Sequence, residues 1–182
     1  MRHRRLTIKY LVAIPIPEPW LSQLAGIKAQ FRPSGWRDTM APHVTLMAPD
    51  RPLMLPGAAA SAFAALDLGL PAFTTRFNTV SIFERRHTST FVLLPQSRSP
   101  LATLFAAVLT HANWQATTAS TRRPYEPHIT LANQVPGSTA PSLRTDLTDL
   151  NLDIEFPCTT IALYQKEASW PQWQELARYK LS

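Results

Sequence analysis

"EPHITL", residues 126 to 131, is almost a copy of "APHVTL", residues 41 to 46. Five of the 182 residues are His, and two of those five sit in the frame Pro-His-(Val/Ile)-Thr-Leu. If two residues agree by chance with probability ~0.07, agreement at Pro, Thr and Leu in any His pair is expected roughly a few times in a thousand. The repeat calls for a cause in the fold or in the chemistry.

On a strand the side chains alternate, so His43 and Thr45 share one face while Val44 and Leu46 share the other. His128 and Thr130 stand in the same relation to Ile129 and Leu131. Pro42 and Pro127 suit strand starts, where no ladder donor is required.

Outward from the two motifs, the chain repeats an order of elements. "LTIKYLVAIP" (6–15) reads as a strand, "PEPWLSQLAGIKAQF" (17–31) as a helix, "GAAASAFAALDL" (57–68) as a helix and "AFTTRFNTVSIF" (72–83) as a strand. After "STFVLLP" (89–95), a strand, come a helix over 99–114, a helix over 140–151, a strand over 159–166 and a short closing strand near "LARYKLS". Ser99 and Pro100 fit the cap and first position of their helix. Shifting the first half by the 85 residues that separate the two His lays helix 17–31 over 99–114 and strand 72–83 over 157–168. The expected fold is therefore α+β: a bilobal duplicated unit spanning 1–182, with pseudo-repeats near 6–83 and 89–168. Its two mostly antiparallel sheets would face a central cleft, with helices packed outside.

If the lobes face each other across a pseudo-two-fold axis, that cleft holds two imidazoles and two hydroxyls. Such a set suits a phosphodiester. One neutral His takes a proton from the attacking oxygen, and the other, protonated, gives one to the leaving oxygen. The Thr hydroxyls donate hydrogen bonds to the non-bridging phosphate oxygens, where charge builds. This chemistry needs no metal and no cofactor.

The paired His43-Val44-Thr45-Leu46 and His128-Ile129-Thr130-Leu131 motifs, with "RPYEPHITLA" around the second and a late "TTIALYQK", resemble the 2H phosphoesterase superfamily, in particular its 2′-5′ RNA ligase-like and cyclic phosphodiesterase branch. The resemblance implies hydrolysis or transfer at 2′,3′-cyclic or 2′-5′ phosphodiester bonds of RNA or nucleotides. It implies His43 and His128 as the acid/base pair and Thr45 and Thr130 as phosphate ligands. The first motif continues as Met47-Ala48-Pro49-Asp50, and Asn133 stands near where an Arg often follows the second.

The remaining composition is compatible with this. Lys and Arg outnumber Asp and Glu by 18 to 12, a net charge of +6 that favours anionic partners such as RNA ends or nucleotides. A single cysteine, Cys158, rules out an intrachain disulfide and a multi-thiolate zinc site, and reads as a packing residue. The opening residues begin like a signal peptide, but Lys9, Pro15, Pro17 and Glu18 leave too short an apolar run. No stretch approaches the ~18 apolar residues of a membrane span. The expectation is a cytoplasmic monomer. Arg122 and Arg123 are candidates for a substrate phosphate and Tyr125 for a base, as are Arg85 and Arg86 in a hairpin between the halves. Trp170 and Trp173 could form a base platform or pack over the lobe edge. His3, His87 and His111 lack a motif context.

Two other functions use the same residues. A metalloenzyme would join Glu126 to His43 and His128 as a two-His, one-carboxylate set, although Ala41 offers no matching carboxylate. A non-catalytic RNA- or nucleotide-binding module would keep the cleft and the charge, but Lys or Arg would serve binding as well as His does.

Overall fold

The structure is a computed structural model that describes residues 8–33, 39–50, 56–111 and 124–182. The elements run β1 (Lys9–Pro15), α1 (Trp20–Gln30), β2 (His43–Asp50), α2 (Pro56–Ala64), β3 (Phe73–Glu84) and β4 (Thr88–Pro95). They continue as α3 (Ser99–His111), β5 (Ile129–Pro136), α4 (Ala140–Asp149), β6 (Ile154–Cys158), β7 (Thr160–Lys166) and β8 (Gln174–Lys180). The expected order holds, with one addition. Strand β6 is short and interrupted by Pro157, yet Leu152, Ile154, Phe156 and Cys158 are buried at alternate positions, the period-two pattern of a strand with one face inward. His3, Arg122, Arg123 and the last residues of the expected helix at 99–114 lie outside the described residues, as does the His111 side chain.

The strands form one eight-stranded sheet in the order β6-β3-β4-β5-β2-β1-β7-β8, and all of its pairings are antiparallel. This corrects the expectation of two sheets facing a cleft. The motif strands β2 and β5 pair with each other, Val44 opposite Ile129, and so fuse what would have been two sheets at a central seam. Two unpaired edges at the middle of the molecule would each leave a row of backbone donors and acceptors without partners. Pairing them removes both.

The sequence halves are also not the halves of the sheet. Strands β3 and β4 are joined only by Arg85-Arg86-His87, too short a connection for anything but antiparallel neighbours. Strand β3 thus lies beside β4 and β6, while β7 lies beside β1. Each half of the chain lends a strand to the other half of the sheet. A further constraint is that Thr159 alone separates β6, at one edge, from β7, near the other. A one-residue link cannot cross a flat sheet of that width, so the sheet must curl until its ends approach.

Phe77, Phe91 and Phe156 are buried in the core, and Phe77 stacks on Phe156 with ring centres 6.0 Å apart. Helix α1 buries Leu24 and Ile27, and α4 buries Leu143 and Leu147, the i, i+3 and i, i+4 spacings that give each helix one apolar stripe. The Trp20 indole N–H donates to the Glu155 carbonyl at 2.8 Å, tying the start of α1 to β6. Cys158 is buried, and burial pushes its thiol up to about 12, which makes it the inert packing residue expected. No helix among the described residues is long and apolar enough to cross a membrane. Truncating Phe77 to Ala removes a fully buried ring from the β3–β6 side and should cost ~3–5 kcal/mol of stability. Urea unfolding monitored by circular dichroism measures that loss, and a change below about 1 kcal/mol would show that Phe77 does not anchor the core.

Candidate active site

The β2–β5 register builds the site. Val44 and Ile129 face each other and are both 0% exposed, so they point to one face and the flanking residues point to the other. In an antiparallel pair that register sets His43 across from Thr130 and Thr45 across from His128. The four residues singled out by the repeat therefore share one face at the seam. His43 and His128 become diagonal neighbours, which such a register sets roughly 7–8 Å apart, close enough to bracket one phosphate.

Both rings are clamped the same way. His43 Nδ1–H donates to the Ala41 carbonyl at 2.8 Å, and His128 Nδ1–H donates to the Glu126 carbonyl at 2.7 Å. A carbonyl can only accept, so Nδ1 carries the proton in each ring, and Nε2 is the atom left for chemistry. The sequence signal for this clamp was the proline in each frame. A residue before proline is held extended and proline's own φ is fixed, so Ala41-Pro42-His43 and Glu126-Pro127-His128 turn the carbonyl two residues back toward the ring. The prolines do more than start strands.

Beyond the clamp the two histidines differ. His43 Nε2 lies 3.1 Å from Thr45 Oγ1. His128 packs edge-on against Phe83, with ring centres 5.0 Å apart and planes at 84°. Burial lowers the His128 pKa below the ordinary 6.5, the Glu126 carbonyl and the Glu126 charge opposing this only in part. Nothing in the sequence marked Phe83, because its contact with His128 depends on how β3, β4 and β5 are ordered.

Tyr125, a candidate for contact with a base, is held by two contacts within the protein. Its hydroxyl donates to the Thr45 carbonyl at 3.1 Å, and its ring stacks on Phe105 with centres 4.1 Å apart. Burial raises its pKa. Tyr125 braces β2 from the segment that leads into β5. Glu126 is ion-paired with Arg98 at 2.8 Å, and among the described residues no three His, Cys, Asp or Glu side chains gather in a metal-ligating group. The two-His, one-carboxylate set of the metalloenzyme reading is not assembled. Asn133 accepts from the Thr90 hydroxyl at 2.7 Å and from the Gln134 N–H at 2.9 Å, which ties β4 to β5.

Two cavities meet here. One of about 130 Å³ is lined by His43, Thr130, Asn133, Lys28 and Arg32. The other, of about 900 Å³, takes in His43 but not His128 and runs along α1 to Thr160, Tyr164, Trp173 and Arg178. Trp173 therefore lines a cavity, and its backbone N–H donates to the Thr39 carbonyl at 2.9 Å. Arg85, Arg86 and His87 are exposed at the tip of the β3–β4 hairpin.

An α+β sheet that sets two His-x-Thr strands side by side at its centre defines a class of protein, and the class has a family behind it. The chain belongs to the 2′-5′ RNA ligase superfamily, whose match spans residues 15–170. Among solved structures it is similar to Escherichia coli LigT, crystallised with 3′-AMP, at a TM-score of 0.65 and 19% identity over 96% of this chain and 98% of that one. TT0787 of Thermus thermophilus is similar at a TM-score of 0.61 and 20% identity over 95% and 97% of the two chains. At such identities the likeness is one of fold. No curated protein matches the chain in sequence.

The lowered His128 pKa has a consequence for stability. The folded protein binds this proton less readily than the unfolded chain, so the contribution is fully present above pH ~6.5 and is lost as pH falls toward the folded value. An NMR titration of the imidazole Cε1–H signals should place His128 below 6.5; a midpoint at or above 6.5 would show that burial does not control it. Tyr125→Phe keeps the ring stack and deletes one hydrogen bond, and is expected to cost ~0.5–1.5 kcal/mol in urea unfolding.

Proposed function

We propose that this protein is a phosphodiesterase that opens 2′,3′-cyclic or 2′-5′ phosphodiester bonds of RNA or nucleotides, with His43 and His128 as acid/base pair and Thr45 and Thr130 as phosphate ligands. The observation that carries this reading is the β2–β5 register, which turns a repeat in sequence into two imidazoles and two hydroxyls on one face. Membership of the 2′-5′ RNA ligase superfamily supports phosphodiester chemistry, and crystals of E. coli LigT with 3′-AMP and with ATP fit a site for nucleotide phosphates in this fold.

The differences between the two rings favour one division of roles. Burial lowers the His128 pKa and its ring packs against Phe83, which favours it as the base. In cyclic phosphate hydrolysis its Nε2 takes the proton of the attacking water as the P–O bond forms. In this scheme His43 is the acid and delivers an Nε2 proton to the ribose oxygen that leaves, giving a phosphomonoester. With the 5′ hydroxyl of a second strand in place of water, the same scheme forms a P–O bond to that hydroxyl while the ribose 3′ oxygen leaves with the proton from His43, which gives a 2′-5′ phosphodiester and is the ligation direction.

Thr45 links the acid to the phosphate. When His43 is neutral, its Nε2 can only accept, so the Thr45 hydroxyl proton is drawn to it across the 3.1 Å contact. When His43 is protonated, Nε2–H donates to Thr45 Oγ1 and the hydroxyl proton is free for a non-bridging phosphate oxygen. The protonation state that can donate to the leaving group is thus also the state that binds phosphate better.

The experiment is product analysis with a panel of nucleoside 2′,3′-cyclic phosphates and 2′-5′-linked dinucleotides, in the presence of EDTA. Wild type should cleave at least one member, and His43→Ala and His128→Ala should each lower kcat by about 10²–10⁴ without unfolding the protein. Activity abolished by EDTA, or retained in both variants, would sink the paired-His scheme. The pH profile of kcat/KM should be bell-shaped, and Thr45→Val should lose about 10²–10³ in kcat.

A further inference from the structure

The two histidines are alike in motif and unlike in surroundings. The cavity of about 900 Å³ opens from His43 alone, and it lies at the upper end of the range that ligand sites occupy, about 300–1,000 Å³. A single ribose phosphate at the seam does not account for it. Its walls combine an apolar stretch, including Pro15, Pro17, Leu21, Ala25 and Pro157, with polar, charged and aromatic side chains.

The charges are not spread evenly. Lys28, in the last turn of α1 and donating to the Met40 carbonyl at 3.3 Å, and Arg32, two residues past the helix, line both cavities and so stand where the large one meets the seam. Arg178, on the far wall, is already held by Glu175 through two contacts of 2.9 and 2.7 Å. At the start of α1 Glu18 is turned to Ser22, whose hydroxyl donates to it at 2.9 Å. Positive charge therefore concentrates within one residue's reach of the scissile position and gives way to negative charge at the other end. Trp173 sits at the positive end, because its backbone is bonded to Thr39, which also lines both cavities.

An apolar wall, an aromatic ring and two cations beside a phosphate site are what a single-stranded nucleic acid requires: a surface for bases and a cationic edge for the backbone. We infer that the large cavity holds the nucleotide on the 5′ side of the reacting one in an RNA strand, its backbone phosphate on Lys28 and Arg32 and its base against Trp173. This rests on the phosphodiesterase reading of the seam, and it makes an RNA end, rather than a free mononucleotide, the preferred substrate. The carboxylate at Glu18 repels a further phosphate and limits how far the strand runs along α1.

The test separates binding from turnover. Affinity is measured by competition fluorescence anisotropy for a 3′-phosphorylated RNA trinucleotide and for the matching nucleoside 3′-monophosphate, and kcat/KM is measured in parallel for their 2′,3′-cyclic forms. Wild type should favour the trinucleotide by at least about tenfold, and Arg32→Ala and Trp173→Leu should each weaken trinucleotide binding more than mononucleotide binding, so that most of that advantage is lost. Arg32→Lys should restore part of it, and Arg32→Ala should lower the salt slope of trinucleotide binding by about 1. Equal affinity for the two ligands in wild type, or an advantage that survives both variants, would overturn the inference even if both cyclic substrates are cleaved. A binding advantage without any turnover would uphold it and defeat the phosphodiesterase reading instead.

Discussion

The pairing of β2 with β5 is the contact on which the rest depends. It closes two strand edges that would otherwise lie open, and it places Val44 against Ile129 in the core. Because side chains alternate, burying that pair forces His43, Thr45, His128 and Thr130 onto the opposite face. A slip of one residue on either strand would carry the imidazoles into the apolar side and the aliphatic pair into the site. Stability and chemistry are thus specified by the same register, and the apolar residues of the motif are as necessary to the site as the polar ones.

Symmetry at the seam ends with the hydrogen bond that orients each ring. Both rings are held by a carbonyl two residues back across a proline. After that, His43 meets Thr45 and an open cavity, whereas His128 meets Phe83 and burial. The proposed phosphodiester reaction is itself asymmetric, with a small nucleophile on one side and a nucleoside on the other, and would use one neutral and one charged imidazole. A duplicated motif supplies two equivalent groups, and its unequal surroundings make them different.

Those surroundings come from the way the chain exchanges strands. Phe83 reaches His128 because the short β3–β4 connection carries β3 into the other half of the sheet. The large cavity exists where the curled sheet brings the β6–β7 corner and β8 toward α1. Tyr125, stacked on Phe105 from α3, holds the backbone of Thr45 from outside the motif strands. Each of these contacts joins residues far apart in the chain.

What the sequence by itself determined was everything local or repeated. Alternating apolar residues and helical spacing located the strands other than β6, and α1 to α4, among the described residues, since hydrophobic period and proline placement act over a few residues. The repeat of Pro-His-x-Thr-Leu singled out the four polar residues, and alternation alone said that His and Thr share a face. Strand β6 was legible in the alternation of Ile154, Phe156 and Cys158 but was obscured by its length and by Pro157. The tertiary structure alone decided that the sheets merge, that β3 and β7 change sides, and that Glu126 offers His128 a carbonyl while its carboxylate goes to Arg98. It also decided which imidazole packs against an aromatic ring. Periodicity says which face of an element is apolar but not which neighbour covers it, and pKa, cavity shape and charge pairing are set by that neighbour.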